Sequence, residues 1–301
     1  MVDFLSSPGQ LVCCDYSGVV ERVGSAVRNG LKPGDRVAGF VHGCNPSNHE
    51  NGAFAEYITA KGDLPLKIPP SMSFTDAATM GAGVFTVAQG LYQSLALALP
   101  KLTDRNEYVF VYGGSSATGS LAIQFAKLSG YKVVTASSAK HETWLQELGA
   151  NHVVDYKSPT CAADIRRVTA GNLAYVFDTI ATPETAIICS DAIGSDGGVY
   201  SALNPESKVS RQDVVSKNTV VFTALGEVFQ FAGQDVPASL EDHEFAVAFI
   251  KKVQQLLDDG DFKPHPASLQ AGGLDGITDG LDKLRQGNVS GVKLVYAVSS
   301  D

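Results

Sequence analysis

The residues best suited to chemistry are hydroxyls set among glycines: Gly113-Gly114-Ser115-Ser116-Ala117-Thr118-Gly119. Ser115, Ser116 and Thr118 can donate to the oxygens of an anion, and glycine lets the backbone come close to it. The spacing G-x-G-x-x-G is absent, so the letters alone are a weak signal. The context is stronger. Tyr108–Tyr112 is a short uncharged run of β-branched and aromatic residues, which predicts a strand buried on both faces. Beyond the turn, Ala117, Leu121 and Phe125 recur every four residues with Ala122 and Ala126 beside them. That spacing predicts a helix packed on one face. The first N–H groups of a helix lack intrahelical partners, and its dipole favours negative charge there. The stretch therefore reads as a pyrophosphate cradle, the turn that opens a dinucleotide-binding domain. An ordinary strand-to-helix turn fits the same letters.

A second hydroxyl cluster follows one strand later. In a dinucleotide fold the end of the second strand meets the adenosine ribose, and an acidic residue about 20 residues past the glycines selects NAD. Here the region reads Thr135-Ala136-Ser137-Ser138-Ala139-Lys140-His141, with no carboxylate before Glu142. Hydroxyls and a lysine suit a 2′-phosphate, so NADPH is the expected cofactor. The alternative is that Ser138 caps the next helix and Lys140 is a solvated surface residue. Tyr156, just past the third predicted strand, borders the same groove or is simply a packed aromatic. His141 and His152 fall at sheet edges and read as surface or capping groups.

Other chemistries find less support. Catalytic zinc takes about three protein ligands and structural zinc about four. Cys14 with Asp15, and His42, Cys44 and His49 in the polar 42–52 loop, supply no C-x-x-C pair, so no metal is expected. No G-x-S-x-G elbow is present, which leaves Ser115 and Ser116 in a phosphate turn rather than as nucleophiles.

These residues need elements to position them. From residue 108 the pattern alternates. Candidate strands fall at 108–112, 132–136, 152–155, 173–178, 197–201 and 219–224, and candidate helices at 116–129, 139–148, 159–169 and 183–192. Alternation with short connections predicts a doubly wound parallel sheet. Residues 11–60 read as β structure, with strands at 11–16, 18–23, 36–41 and 54–59. Residues 65–70 read as an extended linker, 76–79 as a short helix, 81–83 as a glycine break, and 84–97 as a long apolar helix. After a loop at 230–240, Phe245, Phe249 and Val253 mark a helix, Ile277, Leu281 and Leu284 mark another, and 292–298 is the last strand. This tail completes no further strand–helix unit and is expected to fold back on the N-terminal β domain. The expected domains are 1–83 with 240–301, and 84–239.

The 301 residues, 44% hydrophobic and 18% charged, describe a soluble globular chain of two domains. No apolar run approaches the ~20 residues of a membrane span. A net charge of −9 disfavours non-specific nucleic-acid binding. The odd number of scattered cysteines, 5 in all, argues for free thiols. With no basic n-region and apolar h-region in residues 1–12, the cytoplasm is the expected compartment.

Several stretches resemble the zinc-independent medium-chain dehydrogenases/reductases, and among them the trans-acting enoyl reductases of fungal polyketide pathways. They are VDFLSSPGQLVCCDYSGVVERVG at 2–24, LKPGDRVAGFVHG at 31–43, NGAFAEYITAK at 51–61, MGAGVFTVAQGLY at 80–92, VYGGSSATGSLAIQFAKLSGY at 111–131, LGANHVVDY at 148–156, Leu203-Asn204-Pro205 and SGVKLVY at 290–296. Where zinc relatives carry a histidine in a G-H-E motif, this chain has Cys14. The resemblance implies a Rossmann domain plus a GroES-like β domain, no metal, and a monomer. It puts NADP contacts at Ser115, Ser116, Ala117 and Thr118 for the phosphates. Ser138, Ala139, Lys140 and His141 fall at the 2′-phosphate, Tyr156 on the adenosine side, and Leu203, Asn204, Val289 and Ser290 toward the nicotinamide. The implied substrate lining is Met80, Gly81, Ala82, Gly83, Val84, Phe85, Thr86 and Val87, then Ala224, Leu225, Gly226, Glu227 and Val228. The family has opening strands and an Asn-Pro-x-Asp loop ahead of its VDFLSSPG counterpart. Here that stretch follows Met1, so the β domain is expected to be N-terminally truncated.

The implied reaction is NADPH-dependent reduction of a double bond conjugated to a thioester, on a polyketide chain carried by the acyl carrier domain of a synthase. Thr86 and solvent are both candidate proton sources. A quinone or enone reductase of free small molecules, and a catalytically impaired NADPH-binding protein, stay open as alternatives.

Overall fold

The computed structural model describes residues 8–100, 103–231 and 233–298, so residues 2–7 of the 2–24 stretch lie outside the described residues. The chain divides into two compact units, 1–85 with 221–301 and 86–220.

In the first unit, strand β1 (Asp15–Val19) pairs antiparallel with β2 (Arg36–Phe40), which also takes β3 (Leu66–Lys67) antiparallel. The strands expected at 11–16 and 18–23 are thus one strand, and the expected 65–70 linker holds a strand whose Leu66 is buried. Residues 54–59 form bends. Ala53 and Phe54 both donate their amides to the Val12 carbonyl. Two consecutive amides on one acceptor cannot continue a ladder. Helix α1 (Phe74–Ala77) starts on Ser73, whose side chain accepts from the Asp76 amide. Helix α2 (Gly81–Val87) runs on into a π-helical segment of the second unit, Ala88–Ser94, at whose end the Leu95 amide reaches the Gly90 carbonyl at 3.0 Å. Gly81 and Gly83 therefore lie inside a helix instead of breaking one.

The second unit alternates as its sequence predicts. Strands β4 (Tyr108–Tyr112), β5 (Lys132–Ser137), β6 (His152–Asp155), β7 (Tyr175–Asp178), β8 (Gly198–Ala202) and β9 (Val214–Asn218) form one sheet in the order β6-β5-β4-β7-β8-β9, every pair parallel. Helices α3 (Ala117–Leu128), α4 (Glu142–Glu147), α5 (Cys161–Val168) and α6 (Pro183–Ala192) connect them. Strand order reverses at β4, so the switch point of this Rossmann sheet lies at the carboxyl ends of β4 and β7. Val109, Phe110, Val111, Val133, Val134, Val176 and Phe177 are fully buried, which agrees with the continuous apolar runs of a sheet covered on both faces.

The sixth strand is a correction. It lies at 214–218, not 219–224. As an edge strand it buries only Val214 and leaves the rest exposed. The more apolar run after it instead forms a short turn of 3-10 helix, Val221–Leu225, and buries Ala224 and Leu225 in the first unit.

The remainder also belongs to the first unit. A hairpin of β10 (Phe229–Phe231) and β11 (Gln234–Val236) occupies part of the expected loop. Helix α7 (Leu240–Asp258) follows. Its Gln254 side chain exchanges hydrogen bonds with the Lys67 amide and carbonyl at 2.8 and 2.9 Å, pairing the edge of β3 as a strand would. Strand β12 (Ala267–Gln270), helix α8 (Ile277–Arg285) and strand β13 (Lys293–Tyr296) complete the chain, with β12 parallel to β13. Among the described residues no helix is long and apolar enough to cross a membrane.

Candidate cofactor and substrate sites

The glycine–hydroxyl turn sits at the switch point. Gly113 adopts φ +81°, a conformation that strains other residues. A Cβ on Gly119 would lie 2.2 Å from the Gly113 carbonyl oxygen, so only glycine lets the first turn of α3 close onto the loop. Ser116 caps α3, accepting from the Gly119 amide at 2.9 Å. Its Oγ also lies 2.9 Å from Thr179 Oγ1, which donates to the Tyr112 carbonyl at 2.8 Å. The Ser116 hydroxyl is thus held within the scaffold. Ser115 and Thr118, with the unpaired amides of the first turn, remain the candidate groups for an anion.

The edge beyond β5 is built alongside. Ser138 precedes a short 3-10 turn, Ala139–His141, yet makes no side-chain cap hydrogen bond, so capping does not account for its hydroxyl. Lys140 is exposed and has no ion-pair partner among the described residues. Partial burial and the Lys140 charge push the His141 imidazole below its usual range. Tyr156 is brought to the same edge, since its amide donates to the Ser137 carbonyl at 3.3 Å. His152 begins β6, at the opposite end of the sheet.

Sequence reasoning gave no role to Ser137. Its hydroxyl is buried at the carboxyl end of β5 with no partner. Ser201 Oγ on β8 and Thr219 Oγ1 just past β9 are in the same condition. A buried polar group without a partner is costly, and these lie where open parallel sheets bind ligands. The readable signal is a hydroxyl at the end of an apolar strand run. Unpartnered Ser137, the uncapped Ser138 hydroxyl, Lys140 and the Gly119 close approach together fit a nicotinamide dinucleotide. Leu203 and Asn204 follow β8. The Asn204 carboxamide oxygen accepts from the Glu206 amide at 3.1 Å, which leaves its NH2 group as a donor. Val289 and Ser290 lie in the other unit, between α8 and β13.

The proposed substrate stretch divides by burial. In the first unit Met80, Val84 and Phe85 are buried, with the Phe85 ring 4.8 Å from that of Phe40 and tilted by 43° to it. Ala82 and Gly83 are half-exposed, and Thr86 and Val87, in the second unit, are buried. Of the second stretch, Ala224 and Leu225 are buried and the Ala224 carbonyl meets His243 Nδ1 at 2.9 Å. Gly226 turns the chain at φ +67°. Glu227 pairs with Lys61 at 2.7 Å and Val228 is exposed.

The metal candidates take other roles. His42 is buried, stacked 3.6 Å from Phe222 and edge-on to Phe229 at 5.0 Å. Burial pushes its pKa down to about 4. Burial likewise pushes the Cys13 and Cys14 thiols up, to about 11 and about 12. Among the described residues no cluster of three or more potential ligands forms.

Two family models match the chain: an alcohol dehydrogenase GroES-like domain over residues 3–70, and a zinc-binding dehydrogenase domain over 117–228. The crystal structure of the JamJ enoyl reductase superposes with a TM-score of 0.71 at 19% identity, over 95% of this chain and 80% of that one. Fold and site together define a nicotinamide-dependent oxidoreductase of the medium-chain dehydrogenase/reductase class. Trans-enoyl reductase ACTTS2 of Alternaria alternata is 47% identical over 294 residues, 97% of this chain and 85% of that relative. Trans-enoyl reductase resD of Aspergillus sclerotiorum is 41% identical over 313 residues, 99% of this chain and 88% of that relative. The chain belongs to the trans-enoyl reductases, enzymes that act on CH–CH bonds.

Proposed function

We propose that this enzyme uses NADPH to reduce the α,β double bond of an enoyl thioester on a growing polyketide, presented by the acyl carrier domain of a synthase. The observation that carries the choice of NADPH is the edge beyond β5. Ser138 and Lys140 are available there, and no carboxylate precedes Glu142. A carboxylate would repel a 2′-phosphate, whereas a lysine and hydroxyls bind it by charge-assisted hydrogen bonds. Ser115, Thr118 and the first amides of α3 hold the pyrophosphate, and Ser116 keeps that turn in shape. Tyr156 borders the adenosine. Leu203 and Asn204, which follow β8, orient the nicotinamide.

When bound, the cofactor would supply the hydride that the substrate β-carbon takes up. Charge then develops on the thioester oxygen, and stabilising it takes hydrogen-bond donors in a site without bulk water. Within the 80–87 stretch the half-exposed Ala82 and Gly83 meet the acyl chain, backed by the buried Met80, Val84 and Phe85, whose apolar character serves the exclusion of water. The α-carbon receives its proton from the Thr86 hydroxyl or from solvent. Most of the protein's work is to orient the two reactants.

Titration of the protein with NADPH by fluorescence, followed by addition of a carrier-bound enoyl thioester, tests the proposal. Binding and oxidation with that substrate are expected. Turnover confined to free quinones or enones makes it a small-molecule reductase, and binding without any turnover makes it a non-catalytic partner.

A further inference from the structure

Asp15 joins three distant parts of the first unit. Its Oδ1 accepts from the Ala82 amide, 67 residues away, and its Oδ2 pairs with Lys293 Nζ, 278 residues away. The two side chains are only 14% and 24% exposed, so solvent screens the pair less than it would a surface ion pair. The approach is built into the helix. A Cβ on residue 81 would lie 2.1 Å from Asp15 Oδ1 and 2.5 Å from the Gly39 carbonyl oxygen. That accounts for a glycine at the start of α2, where alanine has the better helix propensity.

What the carboxylate touches gives the pair its meaning. Met80 and Val84 are sealed in the core, while Ala82 and Gly83 are the half-exposed positions of the 80–87 stretch. Asp15 therefore holds the backbone at the part of the stretch that can meet another molecule. We propose that Asp15 and Lys293 are positioning residues, which fix residues 81–83 in the conformation that receives the enoyl thioester. The inference rests on the reading that residues 80–87 line the substrate. Lys293 acts through Asp15. Its ammonium neutralises the carboxylate and fixes its orientation, and the carboxylate in turn fixes the Ala82 amide. Neither group takes part in hydride or proton transfer.

The test compares Lys293→Met, Asp15→Asn and Lys293→Arg with the wild type. Readouts are KM and kcat for the enoyl thioester, Kd for NADPH, and amide hydrogen exchange of peptides covering 80–87 and 117–128. For K293M and D15N we expect KM to rise about tenfold, the scale of one lost charge-assisted contact. NADPH Kd should hold within about twofold, since the phosphate cradle lies in the other unit. Exchange should rise at 80–87 and not at 117–128. K293R should recover most of the KM effect. A fall in thermal midpoint alone, with KM and exchange unchanged, overturns the inference and makes the pair a fold staple only. Exchange needs no substrate. A wild type that leaves the thioester unreduced therefore defeats the substrate reading, while unchanged exchange defeats the positioning role. If K293M does not fold, Gly81→Ala keeps both charges and sets a Cβ against the carboxylate. A raised KM and raised exchange then support the inference, and unchanged values overturn it.

Discussion

Ser116 Oγ and Thr179 Oγ1 lie 2.9 Å apart, which ties the cap of α3 to the loop after β7. The proton directions follow from the other partners. Thr179 donates to the Tyr112 carbonyl, so Ser116 donates to Thr179 and accepts from the Gly119 amide. Removing Ser116 therefore breaks two bonds at once. Ser116→Ala should cost about 1 kcal/mol of stability, the usual value of a helix cap. It should also weaken NADPH binding several-fold by loosening the turn. Thermal melts and fluorescence titration check both effects, and Ser115→Ala should weaken binding with little loss of stability.

Lys140 should separate the two nicotinamide cofactors. A charged hydrogen bond contributes about 1.5–3 kcal/mol, so Lys140→Ala should raise Kd for NADPH about tenfold or more. The Kd for NADH, which has no 2′-phosphate, should be unchanged. Paired titrations decide this. Equal losses for both cofactors would remove Lys140 as the phosphate reader.

Asp178 is a fully buried carboxylate at the end of β7. It accepts from the amides of Ile180 and Ala181 at 3.0 and 2.8 Å, from Thr185 Oγ1 at 2.5 Å and from Tyr200 OH at 2.9 Å. Asp178→Ala leaves the Ile180 and Ala181 amides without an acceptor, while Thr185 Oγ1 keeps the Thr182 carbonyl at 3.0 Å and Tyr200 OH keeps Ser207 Oγ at 2.7 Å; it should cost about 3–5 kcal/mol. Because Thr179 follows directly, loss of NADPH affinity should accompany the fall in thermal midpoint. Tyr200→Phe removes only one donor and should cost about 1 kcal/mol.

His42 gives a pH dependence with a definite sign. In the unfolded chain it takes a proton at about 6.5, and in the fold only near 4, because burial beside Phe222 and Phe229 disfavours the charged form. The unfolded state therefore binds more protons between those values. The stabilising contribution of neutral His42 is full above about pH 6.5 and is lost as pH falls toward 4, about 3 kcal/mol in total. Denaturant melts of the wild type and His42→Phe across that range should diverge by this amount. Parallel curves would mean that His42 is accessible to protons in the fold.

The alternating unit was legible because a sheet covered on both faces demands uninterrupted apolar strands, and the central strand Tyr108–Tyr112 has the predicted bounds. The edge strand Val214–Asn218 was not, since it needs only one buried residue and shows no apolar run. The glycines at 81 and 83 read as a break, but the reason for Gly81 lies far away in sequence, in the Asp15 carboxylate. Within the cradle, the hydroxyl turn stood out, but which hydroxyl binds and which one caps did not. Ser116 and Ser138 are both followed by a helical turn, and only the hydrogen bonds distinguish them. Ser137 and Ser201 went unread because burial without a partner is a property of the fold and not of the letters.

The most direct measurement follows the hydride itself. The protein is incubated with a carrier-bound enoyl thioester and NADPH deuterated at its transferable position, and the reduced acyl chain is analysed by mass spectrometry and NMR. The account predicts one deuterium at the β-carbon, none at the α-carbon, and little product when NADH replaces NADPH. Deuterium absent from the acyl chain, or a product formed as readily with NADH, would contradict it.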